Sequence, residues 1–239
     1  MSSAPHLRRA SIPVGSVVLA SIFVAALATA QLTGAKVLAF ELPVSIPIAG
    51  SELAMPGAAL AIAVLFLASD CYTELYGKRA AQVLVNVAFA MNFLVLALVW
   101  STIVAPGADP AFSETFGEVL GASTNIVAGS LLAYLVSQNY DVVVFHRLKE
   151  YTHGDHLWFR NIVSTGTSQL LDTVIFVTIA FWILPQYVGM GPELPAGVVA
   201  SLVVGQYLLK LLIALLDTPF VYLIIGAITR YETPDVVSG

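Results

Sequence analysis

The chain has 239 residues, 58% hydrophobic and only 10% charged, with a mean hydropathy of +0.88 and a formal net charge of −5. That composition excludes a soluble domain, and its acidic balance argues against a nucleic-acid partner, which would want a basic face. The single cysteine, Cys71, excludes an intrachain disulfide and any paired-cysteine metal or redox site.

The charged residues are clustered, which leaves uncharged runs at 10–35, 53–69, 80–108 and 119–140. Each is about long enough to cross a ~30 Å hydrocarbon core at ~1.5 Å per residue. Further on, 161–192 holds only Asp172, and 194–229 holds only Lys210 and Asp217. The pattern predicts an all-α integral membrane protein, with six transmembrane helices at about 14–37, 56–76, 80–104, 114–139, 161–185 and 197–229. They form one domain, 14–229, flanked by short segments at 1–13 and 230–239.

In chain order, the first span follows Arg8 and Arg9 like the apolar core of a signal peptide. Its uncharged run of 26 residues is too long for one, so a retained anchor is expected. Segment 40–56 carries Pro43, Pro47 and Pro56 among alternating apolar residues, which excludes a helix and predicts a short hairpin lying on the bundle. Segment 140–160 is polar and aromatic and reads as a long cytoplasmic loop. Its His146, His153 and His156 are expected to titrate in solvent rather than to hold a metal, and no cofactor motif is recognised.

Lysine and arginine placement tests the count, because positive residues are retained on the cytoplasmic side. Arg8, Arg9, Lys78, Arg79, Arg147, Lys149, Arg160 and Arg230 all fall on one side of a six-span fold, and Lys36 alone falls on the other. Both termini are therefore expected to be cytoplasmic.

A charge near the membrane midplane costs roughly 3 kcal/mol, so it faces the bundle interior and seeks a partner. Asp70 and Glu74 share one face of span 2 at i, i+4, where two anions repel. Glu74 could pair with Lys78 at the interface, but that leaves Asp70 unexplained. In span 5, Thr165, Ser168, Gln169, Asp172 and Phe176 draw one polar stripe ending in an aromatic. In span 6, Gln206, Lys210 and Asp217 share a face, with Lys210 and Asp217 about 10 Å apart in rise, too far for a rigid pair. Lys210 is expected to neutralise Asp172 or Asp70 across the bundle. Gln31, Asn86, Asn92 and Asn125 add amides from spans 1, 3 and 4. Amides and a few carboxylates converging in six helices describe a pocket for a flat, polar, hydrogen-bonding solute better than an ion pore. Trp158, Trp182, Tyr72 and Phe176 are candidates to stack on it, although Trp and Tyr more often anchor at the membrane interface.

The segment Ser69-Asp70-Cys71-Tyr72-Thr73-Glu74-Leu75-Tyr76-Gly77-Lys78 resembles a signature of the queuosine precursor transporter family, also grouped with vitamin uptake transporters. Two later stretches support the resemblance: Ser168-Gln169-Leu170-Leu171-Asp172-Thr173 with Phe176, and Lys210 followed by Leu215-Leu216-Asp217-Thr218-Pro219-Phe220-Val221-Tyr222. It implies import of 7-deazaguanine precursors of modified transfer-RNA bases across the cell membrane. A carboxylate such as Asp70 or Glu74 would then take the amine edge of the base, and Gln169 or Lys210 its carbonyl. The expected substrate-binding set is Asp70, Glu74, Gln31, Asn92, Asn125, Gln169, Asp172, Phe176, Lys210 and Asp217. On this reading Asp70→Asn abolishes uptake in a protein that still folds, and Asp172 or Asp217 could carry a coupling proton.

Two other readings compete. A substrate-capture subunit of a multicomponent vitamin importer would have a similar helix count and lean on a separate ATPase, since no phosphate-binding loop is present in this chain. An integral-membrane enzyme lacks support, because neither GxSxG nor HExxH occurs. The expected partners are a purine-like small molecule and the lipid bilayer, with homo-oligomerisation left open.

Overall fold

The computed structural model describes residues 13–46, 50–153, 157–189, 191 and 193–232. Arg8, Arg9 and Pro47, residues 154–156 with His156, and most of the terminal segments lie outside them, as does the side chain of Trp158. Six helical segments among the described residues are long and apolar enough to cross a membrane. They begin with α1 (Val14–Thr33), which is followed by a hairpin of β1 (Val37–Ile46) and β2 (Gly50–Pro56). Then come α2 (Ala59–Tyr76) and α3 (Lys78–Ile103). The fourth span joins α4 (Pro110–Gly121) to α5 (Ser123–Tyr151) with a single residue between them. The fifth is α6 (Leu157–Thr178), a π-helical turn at Ile179–Ile183, and α7 (Leu184–Val188); the sixth is α8 (Ala196–Glu232).

The hairpin occurs where the prolines exclude a helix. Its strands pair antiparallel from Val37 opposite Pro56 to Glu41 opposite Glu52, with a register shift before Ile46 meets Gly50. It is bonded to the bundle through one serine on α8. Ser201 Oγ accepts from the Ala54 N–H at 2.9 Å and donates to the Glu52 carbonyl at 2.9 Å. One turn on, α8 comes so close that a Cβ at Gly205 would lie 2.0 Å from the Ala54 carbonyl oxygen, so only glycine permits this seating.

Two boundaries differ from expectation. Segment 140–160 is not a long loop, because α5 runs on to Tyr151 and α6 resumes at Leu157. Polarity suggested a loop there, yet 139–151 contains no glycine or proline to break a helix, and its charged side chains simply project from the extended end. In that extension His146 Nδ1 lies 2.8 Å from the Val142 carbonyl, one turn back, and no metal-ligating cluster occurs among the described residues. The fifth span contains the unforeseen π-turn, where the Leu184 N–H reaches back five residues to the Ile179 carbonyl just before Pro185, which has no N–H to give. Elsewhere the turn signals hold: Gly77, at φ +83°, is the corner between α2 and α3.

Burial divides the bundle into two cores. In the first half, Phe23 and Leu27 of α1 pack with Ala68 of α2 and Ala88 of α3. In the second, Ala54 of the hairpin packs with Ile126 of α5, Phe176 and Val177 of α6, Phe181 of the π-turn and Leu202 of α8. Outward faces are largely apolar, as with Leu98 on α3 and Leu215 on α8, as expected where lipid replaces water. The seam between the two cores holds the site.

Candidate functional site

A cavity of about 290 Å³ lies on that seam, lined by α1, α2, α3, α5, α6 and α8. Its size is at the low end of the ~300–1,000 Å³ usual for small-molecule sites. Toward the hairpin it is closed by Ala58, two residues after β2, and by Ile126, which packs with Ala54. At the other end Gln82 and Gln138 line it and are exposed.

The polar stripe read along span 5 delivers Gln169, Asp172 and Phe176 to the cavity, since residues three, four and seven apart share a helix face. From α8, Gln206 and Lys210 arrive one turn apart. The Lys210 ammonium donates to Asp172 Oδ2 at 2.6 Å, and Ser137 Oγ on α5 donates to Oδ1 at 3.2 Å. Both carboxylate oxygens are thus engaged. Pairing offsets the desolvation that either ion alone would suffer in lipid, and Lys210 is 8% exposed. Among the described residues this is the one ion pair.

The apolar wall is aromatic. Phe89 of α3 stacks on Tyr134 of α5 with ring centres 4.5 Å apart and planes 21° apart. The Tyr134 hydroxyl accepts from Gln82 Nε2 at 2.8 Å and donates to Asn86 Oδ1 at 3.3 Å, so its ring is held by both ends. Phe176, which also lines the cavity, lies edge-on to Phe181, ring centres 5.8 Å apart. A half-open slot with aromatic faces and amide or charged edges can hold a flat heterocycle, stacking its faces and hydrogen-bonding its rim.

Half of the expected residues meet here: Gln31, Gln169, Asp172, Phe176 and Lys210 all line the cavity. Asp70, Glu74, Asn92, Asn125 and Asp217 do not. Asp70 and Asp217 instead lie near each other between α2 and α8. Asp217 also borders an apolar groove with Leu67, Leu216 and Phe220. Glu74 is exposed and forms no ion pair with Lys78. Asn92 and Asn125 are buried, at 2% and 3% exposure. Of the proposed stacking residues, Tyr72 bonds through its hydroxyl to Ser16 Oγ at 3.1 Å, and Trp182 is partly exposed, so neither reaches the cavity.

Sequence reasoning missed Gln82, Phe89, Tyr134 and Ser137. Gln82 and Ser137 carried a signal, a polar side chain within a predicted span; an aromatic in a lipid-facing helix looks the same whether it faces lipid or a cavity.

Residues 56–224 match the family described as "Putative vitamin uptake transporter". Over 160 residues the chain is 32% identical to the "Probable queuosine precursor transporter" of Bacillus subtilis (strain 168), a match that spans 66% of each chain, just under two thirds. No solved structure matches. With six helices able to span a bilayer around a polar cavity, the chain is a multi-pass membrane protein that belongs to this vitamin uptake transporter family.

Proposed function

We propose that this protein imports a 7-deazaguanine precursor of a modified transfer-RNA base, such as 7-cyano- or 7-aminomethyl-7-deazaguanine, through the cavity between its two cores. The observation that carries the reading is the pairing of aromatic walls with a neutralised polar edge: Phe89, Tyr134 and Phe176 beside Gln169 and the Asp172–Lys210 pair. A deazaguanine is flat, has two stackable faces, and concentrates its donors and acceptors on its rim. The name of the Bacillus subtilis relative points the same way.

In this reading Phe176 takes one face of the base, and Gln169 and Lys210 reach its carbonyl. Asp172 holds Lys210 in place and neutralises it, so the solute meets a directed donor rather than a bare charge. Opening toward Gln82 and Gln138 while the hairpin end is closed corresponds to one side of an alternating-access cycle.

The test is uptake of labelled 7-cyano-7-deazaguanine by cells that cannot synthesise it, with and without this protein. Saturable uptake that Asp172→Asn abolishes is expected; a wild-type protein present in the membrane that takes up none refutes the reading. Purified protein alone in liposomes should also transport the base, which a subunit dependent on a separate ATPase would not do.

A further inference from the structure

We propose that Gln31 and Gln206, and not a carboxylate, receive the N–H donors of the solute and so set its specificity; this rests on the deazaguanine reading above. The carboxylates are otherwise disposed. Asp70 and Glu74 do not line the cavity, and each oxygen of Asp172 already accepts a hydrogen bond, from Lys210 and from Ser137. Of the five glutamine carboxamides that line the cavity, two have an enclosed, unpartnered oxygen. Gln31 on α1 and Gln206 on α8 both line the cavity, they are 3% and 4% exposed, and Oε1 of each is enclosed without a hydrogen-bond partner.

An enclosed acceptor without a donor is unfavourable, and two of them at one cavity are rarely kept in a protein interior without a use. The last side-chain torsion of glutamine is broad, so a turn of the terminal amide brings its oxygen onto the cavity. Each oxygen then takes an N–H from a solute lying between the helices. The rim of a guanine-type base offers such donors, a ring N–H beside an exocyclic amine. Amide acceptors suit them better than a free carboxylate, because they need no counter-ion in a lipid-surrounded site.

The two helices belong to different halves. Gln31 is one turn beyond Leu27 in the α1–α2–α3 core, and Gln206 is one turn beyond Leu202 in the core that includes the hairpin. A solute bonded to both therefore bridges the seam, so recognition of its donors is also what ties the halves together.

The proposal is tested by comparing uptake of 7-cyano-7-deazaguanine with that of the same base lacking the exocyclic amine, a carbonyl-bearing analogue with one donor site fewer. Wild-type protein should show a KM at least about tenfold higher for the analogue, because one buried acceptor stays unpaired. In Gln31→Met and Gln206→Met, similar in length but without an acceptor, KM for the parent base should rise by about tenfold. In at least one of them the preference over the analogue should shrink to within about twofold. Gel filtration of the purified variants checks that they fold; should either fail, the wild-type comparison decides alone. Equal KM values for the two bases in wild-type protein overturn the proposal while leaving the deazaguanine reading intact, as does full discrimination in both folded variants. Uptake of neither base by wild-type protein removes the reading and the proposal together.

Discussion

Two charged contacts sit on α8, seven residues apart, and they are built in opposite ways. Lys210 meets Asp172 of α6 across the cavity, opposite charges at 2.6 Å with a serine on the remaining oxygen. Asp217, two turns further along the same face, lies against Asp70 of α2, carboxyl against carboxyl. The first contact lies within one half, between α6 and α8, and both of its carboxylate oxygens are engaged. The second sets like charges side by side, which repel. Charge in a membrane span thus marks two kinds of place here: one that lines a cavity, and one at a helix packing seam outside it.

The contrast can be broken most sharply at its stronger member. Asp172→Ala leaves Lys210 buried without a counter-ion, and removing one partner of a buried pair costs about 3–5 kcal/mol. Thermal unfolding of detergent-solubilised protein should show that loss together with the loss of uptake. Adding Lys210→Met should restore most of the stability and none of the transport, which separates folding from function. Next in size is Gly205→Ala, whose new methyl meets the Ala54 carbonyl; overpacking of this kind costs about 1–3 kcal/mol. The same melt reads it, and protease sensitivity of the hairpin should rise if the seating on α8 is what holds the hairpin.

Ser137→Ala removes a hydrogen bond to a charged oxygen but leaves the ion pair. Such bonds contribute about 1.5–3 kcal/mol, so KM for uptake should rise roughly tenfold while the protein stays folded. The smallest effect is expected at the like-charged contact. Asp70→Asn and Asp217→Asn should leave the substrate KM within about twofold, because neither residue lines the cavity. A tenfold rise in KM for Asp70→Asn would put that residue on the substrate and restore the role its motif suggests.

Much of the site was legible from helical periodicity. The stripe Gln169, Asp172, Phe176 and the face Gln206, Lys210 each point inward because residues three, four and seven apart lie over one another. Asp70 and Glu74 lie outside this cavity for an instructive reason. An intramembrane carboxylate announces that it needs a partner, but a helix face gives no hint of which neighbour supplies it, and here α8 supplies Asp217 to Asp70 rather than a pocket. The loop expected over 140–160 failed where polarity outweighed the absence of helix breakers.

What the sequence determined by itself was the solvent, the number of spans, the hairpin and the scarcity of charge, because each depends on composition and local backbone chemistry. Which charges would meet was decided only by tertiary packing. Asp172 and Lys210 are 38 residues apart, and Asp70 and Asp217 are 147 apart. Partner choice between such distant positions depends on how helices cross and rotate against one another, and those rotations follow from the packing of both cores around the seam.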